Sequence, residues 1–154
     1  MTDQAHKAEQ FRALHIPGKP AVLFNIWDAG GAKAVALGGA KAIATGSWSV
    51  ANANGFADGE RIPLALAIDN LRRIVGATQL PVTVDLESGY GDTPEMVGET
   101  IALTIEAGAV GCNLEDSLSG EWKAPRESRL CQSRQARSPG RRCSQHALLH
   151  QRPD

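Results

Sequence analysis

Histidine is absent from the middle of this chain: its four copies, His6, His15, His146 and His150, all lie near the two ends. A Ser-His or Cys-His nucleophilic pair in the central region is therefore not expected. Cysteine is scarce. Cys112, Cys131 and Cys143 are odd in number and lack metal-ligand spacing, so neither a disulfide framework nor a zinc site is expected. No apolar run approaches the roughly 18–20 residues that span a bilayer. The opening MTDQAHKAEQFRALH has no signal-peptide stretch, so a cytoplasmic protein without membrane contact is expected. Gly30-Gly31 and Gly89-Tyr90-Gly91 make neither a dinucleotide nor a P-loop fingerprint and read as turn glycines.

What is present suits one ordinary globular domain: 154 residues, 42% hydrophobic and 21% charged. The net charge of −1 conceals two unlike parts. Residues 1–120 hold eight Lys/Arg against fourteen Asp/Glu, a net of −6; the remainder holds eight against three, a net of +5. From Glu121 onward there is no Val, Ile, Phe, Met or Tyr. Such a segment has little to bury and is not expected to fold alone. The chain therefore divides into residues 1–121 and a basic tail, 122–154.

The first part alternates. A short helix over 7–15 precedes an apolar run, AVLFNIW (21–27), that reads as a buried strand. Asp28 is placed to cap the next helix and Gly38-Gly39 to end it. KAIAT (41–45) is a second strand, followed by a polar stretch over 46–62. Pro63 opens a helix that keeps its period through Leu64, Ile68, Leu71, Ile74 and Val75. PVTVDLE (81–87) is a third strand. Thr93-Pro94 starts a helix running through Val97, Ile101 and Ile105 to Gly108, and AVGCNLE (109–115) is a fourth strand. Strand–helix alternation predicts an α/β fold on a parallel sheet, open or closed into a barrel.

Ligands of such folds bind at the carboxyl ends of the strands. There the chain reads Asn25-Ile26-Trp27-Asp28, Thr45-Gly46-Ser47-Trp48, Asp85-Leu86-Glu87-Ser88 and Glu115-Asp116-Ser117. Asp85 and Glu87 lie two apart on one strand, which predicts a shared face, and Glu115 on the next strand can reach the same point. One acidic strand end is commonly just a cap or a solvated loop. Three acids at two strand ends on one rim favour a site. Crowded carboxylates repel unless a cation joins them, and an oxygen-only donor set suits Mg²⁺ or Mn²⁺. Trp27 and Trp48 can wall a pocket or pack in the core, and Cys112 reads as a small core residue.

These strand ends carry a resemblance. VDLESGYG (84–91) resembles the signature V-D-x-[DE]-[ST]-G-[YF]-G of the isocitrate lyase / phosphoenolpyruvate mutase superfamily, and NLEDS (113–117) its next signature. NIWDAGGAK (25–33) and TGSWSVANANGFADGE (45–60) fit its first two units. The resemblance covers about residues 8–120 and implies the first four units of a (β/α)8 TIM barrel, a fold of eight strands and ~250 residues. It implies Asp85 as the direct Mg²⁺ ligand, with Glu87 and Glu115 holding the ion through water. It implies Asp58 near metal and substrate, and Gly46, Ser47 and Trp48 against the substrate carboxylate and carbonyl. The implied activity makes or breaks C–C or P–C bonds of a small 2-oxo or 2-hydroxy acid through an enolate, in a homotetramer.

Two departures qualify it. The superfamily's C–C lyases carry K-[KR]-C-G-H soon after the E-D pair, whereas here SLSGEW follows Asp116, which resembles the phosphonomutase-like branch. Family members continue into a strand like F-I-N-A-R-T-D, whose Arg binds the substrate carboxylate. Here the chain closes Leu149-His150-Gln151-Arg152-Pro153-Asp154. One back-translation, ctt cat caa cgc ccg gac, read one nucleotide later encodes F-I-N-A-R and opens a Thr codon. The tail is thus expected to be a frameshifted reading of the fifth unit, and the chain as written to have little or no activity. The rival expectation is a non-catalytic or partner-completed protein whose arginine-rich tail binds nucleic acid; the tail's lack of aromatics beyond Trp122 speaks against that.

Overall fold

The computed structural model describes residues 3–115 and the backbone of residues 146–148. The remaining tail, including Asp116, Cys131, Cys143 and the arginines, lies outside the described residues, so the expectations placed on it are not carried further.

The chain opens with helix α1 (Asp3–Ala13), whose one fully buried side chain is Phe11. Gln4 fastens the helix by donating from Nε2 to the carbonyls of Ile105 and Ala109, at 2.8 and 3.0 Å. Strand β1 (Phe24–Ile26) leads into α2 (Ala29–Leu37). Asp28 caps α2 as expected, accepting from the Gly31 N–H at 2.6 Å. Gly39, at φ +90°, turns the chain after its end. Strand β2 (Ile43–Thr45), helix α4 (Leu64–Gly76), strand β3 (Val82–Asp85), helix α5 (Pro94–Glu106) and strand β4 (Gly111–Asn113) follow the predicted order, with a short helix α3 (Ser47–Ala53) between β2 and α4. Thr93 caps α5, its hydroxyl accepting from the Met96 N–H, with Pro94 in the first turn.

β1, β2, β3 and β4 pair in sequence order and in parallel. Among the described residues this is the architecture of three βα units and the fourth strand of an incomplete (β/α)8 barrel. The core lies between the sheet and the helices, where Ile26, Ile43, Val82, Val84 and Cys112 meet Ala32, Ile68, Leu71 and Ile74. Each large aliphatic side chain buried there contributes about 1.5–3 kcal/mol.

Two differences from the sequence reading have physical causes. The run 21–27 is not a buried strand throughout: only Phe24–Ile26 is strand, and Val22 and Phe24 stand 75% and 56% exposed. Among the described residues β1 is an edge that pairs only with β2, so half of its surroundings is solvent. The polar stretch 46–62 contains helix α3, which is held by Val50 and Ala51 packing with Ile62. Its seven residues are too few to display a helical period. Besides these, His146–Leu148 forms a three-residue strand β5 antiparallel to β4.

The Cys112 thiol is buried in the core at 1% exposure, and burial pushes its pKa from 9.0 to about 11. At pH 8 its thiolate fraction is therefore about 100-fold below that of an ordinary thiol. Iodoacetamide is expected to spare Cys112 in the native protein and label it fully in urea, as read by peptide mass spectrometry. Native labelling as fast as in urea would contradict this placement.

Candidate active site

The carboxyl ends of β2, β3 and β4 form one rim. Asp85, the last residue of β3, is half-buried and held from both sides. Its Oδ2 accepts from the Ser47 N–H at 3.1 Å, and its Oδ1 from the Glu87 N–H at 3.2 Å. Its own N–H donates to Oγ1 of the buried Thr45 at 3.0 Å. The Ser47 donor comes from the first turn of α3, where a helix has no internal partner for it.

The contact from the Glu87 N–H corrects the basis on which Asp85 and Glu87 were paired. β3 ends at Asp85, so strand alternation does not put both on one face. Glu87 stands beyond the strand at φ +52°, and the turn that joins it to Asp85 is the one an aspartate makes with the N–H two residues on. The Glu87 side chain is 6% exposed. Its Oε2 accepts from the Glu60 N–H at 2.8 Å, while its Oε1 is buried without a hydrogen-bond partner. Burial raises its pKa, as do the nearby charges of Asp58 and Glu60, against the lowering effect of the Glu60 and Gly59 N–H groups.

The remaining expected residues lie along the same rim to differing degrees. Glu115 lies two residues past the end of β4 and is exposed; its N–H donates to the Glu87 carbonyl at 2.6 Å. Asp58 is exposed, yet its charge acts on both Glu87 and Tyr90. Gly46 caps α3 in a tight position: an added Cβ would lie 3.2 Å from Ser49 Oγ and 3.3 Å from Asn25 Nδ2, so those side chains would have to give way slightly. Trp48 is 63% and Trp27 47% exposed, so neither is a core residue. Asp85, Glu87 and Glu115 are not gathered into one chelating cluster: among the described residues, no three His, Cys, Asp or Glu side chains stand close enough to hold an ion directly.

Several contributors had no local signature. Glu60, at φ +58°, accepts at Oε1 from Ser88 Oγ at 2.6 Å and from the Tyr90 N–H at 2.8 Å. Tyr90, itself at φ +55°, has its phenol pKa raised by burial and by the charges of Glu87, Glu60, Asp85 and Asp58. Asn70, buried on α4, donates to the Trp27 carbonyl at 2.8 Å and so anchors the end of β1. Asn113 lies opposite Asp85 in the sheet register, and its Oδ1 is buried without a partner. Only an acidic residue at 60 was readable from GFADGE; nothing in the sequence marked its contacts. Behind the rim, a cavity of about 20 Å³ lined by Thr45, Ser47, Asp85 and Tyr90 has room for a water but not for an organic acid.

A model of the phosphoenolpyruvate phosphomutase family matches residues 11–147. The chain belongs to this family. The family is of lyase and phosphonomutase type. A Burkholderia cenocepacia J2315 protein described as a phosphonomutase is 63% identical, with a TM-score of 0.74 over 77% of this chain and 49% of that one. The 2-methylisocitrate lyase of Escherichia coli K12 is 28% identical over 120 residues, covering 71% of this chain and 40% of the lyase. The structure of a phosphonopyruvate hydrolase in complex with oxalate and Mg²⁺, 17% identical, shares the fold at a TM-score of 0.68 over 79% of this chain and 42% of that one. The phosphomutase-family chain thus spans about 40% of its curated relatives' length and about half of its 63%-identical structural relative. Among the described residues no helix is long and apolar enough to cross a membrane.

Proposed function

We propose that residues 1–115 carry the divalent-cation and 2-oxo-acid part of a lyase or phosphonomutase active site. The observation that carries this reading is the pair Asp85–Glu87. One carboxylate is held in place by two backbone N–H groups, and beside it a buried carboxylate oxygen has no partner. An unpartnered buried acceptor costs about 1–3 kcal/mol, a cost removed when an ion and its waters occupy the rim.

The donor set fits Mg²⁺. Asp85 would hold the ion directly, and Glu87 and Glu115 would accept hydrogen bonds from its waters, in keeping with a cation that binds few carboxylates and retains water. When bound, Mg²⁺ polarises the carbonyl of a 2-oxo acid and stabilises the negative charge that develops as a bond to the neighbouring carbon or phosphorus breaks or forms. The protein's own part is positioning. The Ser47 N–H fixes the Asp85 carboxylate and Thr45 Oγ1 holds the Asp85 backbone N–H, while Gly46, Ser47 and Trp48 would meet the acid. Asp58 adds charge near the same point. The absence of a lyase-type K-[KR]-C-G-H loop after Asp116 favours phosphonomutase-like chemistry.

Calorimetric titration with oxalate tests this reading. Saturable oxalate binding that requires Mg²⁺ or Mn²⁺ is expected. Binding that is indifferent to the cation, or no cation binding at all, would remove the basis of the proposal.

A further inference from the structure

We propose that Glu60 is a positioning residue that latches the 58–60 loop onto the turn after β3 and aims the Glu87 carboxylate into the rim. The inference rests on the reading of the rim as a cation site.

Three non-glycine residues among those described have left-handed backbones: Glu60 at φ +58°, Glu87 at +52° and Tyr90 at +55°. Each such conformation costs on the order of 1–3 kcal/mol and persists only where the surroundings impose it. All three belong to one network, and Glu60 is its hub. The Glu60 N–H holds Glu87 Oε2, while the Glu60 side chain, through one oxygen, holds Ser88 Oγ and the Tyr90 N–H. These bonds join residues 27 to 30 positions apart, so they fasten two separate loops rather than shape one turn. With Oε2 engaged, Oε1 is the Glu87 oxygen left buried without a hydrogen-bond partner.

The chemical identity of residue 60 adds to the argument. A glutamine would accept the same two bonds and would place no second charge beside Glu87. The carboxylate instead adds to the repulsion that Glu87 feels from Asp58. A latch of purely structural value would be better without that repulsion; a latch beside a cation gains from it.

Mn²⁺ affinity, read from the free-ion EPR signal, and thermal melting test the inference together in Glu60→Ala, Glu60→Gln, Glu87→Gln and the Glu60→Ala/Glu87→Gln double variant. Glu60→Ala is expected to weaken Mn²⁺ binding about 10-fold or more, the usual effect of losing a residue that orients a ligand. Glu60→Gln is expected to restore affinity to within about threefold of the parent. In the double variant, the Glu60 change should cost nothing beyond Glu87→Gln. Parent-level affinity in a Glu60→Ala protein with a lowered melting temperature would overturn the inference and leave a merely structural residue. So would independent, multiplying effects of the two single changes. If Glu60→Ala does not fold, Ser88→Ala, which removes one of the two accepted bonds, decides instead. An affinity loss of about fivefold supports the latch and an unchanged affinity overturns it. A parent protein that binds no Mn²⁺ overturns the cation-site reading and this inference with it. A parent whose binding is lost in Asp85→Asn but unaffected at Glu60 overturns this inference alone.

Discussion

Asp85→Asn is expected to abolish the rise in melting temperature that Mg²⁺ produces in the parent protein. A ligand that binds only the folded state stabilises it by about 2.7 kcal/mol at a hundredfold excess over its dissociation constant. The replacement removes the charge that would hold the ion. It also sets an amide NH₂ against one of two backbone donors, Ser47 N–H or Glu87 N–H, because both carboxylate oxygens accept such a bond. Without Mg²⁺ the variant loses about one hydrogen bond to a charged group, on the order of 1.5–3 kcal/mol, discounted because the site is half open to water. The apo melting temperature should fall modestly while the Mg²⁺-dependent increment vanishes altogether. Differential scanning fluorimetry over a Mg²⁺ series measures both. An increment of parent size in Asp85→Asn would show that the ion, if bound, sits elsewhere.

Gly91→Ala should destabilise the fold by about 1–3 kcal/mol, the usual cost of overpacking. A Cβ at residue 91 would lie 2.5 Å from Met96 Cβ and 3.0 Å from the Val97 backbone nitrogen. The obstacle is the first turn of α5 itself, which Thr93 and Pro94 fix in place, so no flexible side-chain tip can swing away. The turn carrying Glu87 and Tyr90 must move off the helix, and ion affinity should fall with stability. Gly98→Ala is the matching control: it lies exposed within α5, and nothing stands within 4 Å of an added Cβ. There alanine should stabilise by about 0.5–1 kcal/mol, because glycine is the poorer helix former. Urea midpoints moving in opposite directions are the expected result. A Gly91→Ala protein as stable as its parent would refute the close approach.

The same glycine shows how legible the site was. Its place in VDLESGYG marked a turn, Asp85 and Glu87 could be named from the end of the third strand, and Asp58 came only from the family resemblance of GFADGE. α4 was readable because Ile68, Leu71 and Ile74 repeat at helical spacing and are all buried. α3 was not, because two buried residues in seven make no period. The exposure of Val22 and Phe24 was hidden because an apolar run does not say how many neighbours its strand will have.

The chain by itself determined the order of strands and helices, their capping residues and the collection of acids at one rim. Those features follow from periodicity and from backbone preferences that act over a few residues. Only the tertiary structure decided that Glu87 leaves the strand, that Ser47 and Thr45 hold Asp85, and that Glu60 joins two loops. The bonds responsible link residues 27 to 40 positions apart. They exist because parallel pairing sets β2 beside β3 and β3 beside β4, bringing the ends of separate strands within hydrogen-bond reach, a juxtaposition that no local stretch of sequence encodes.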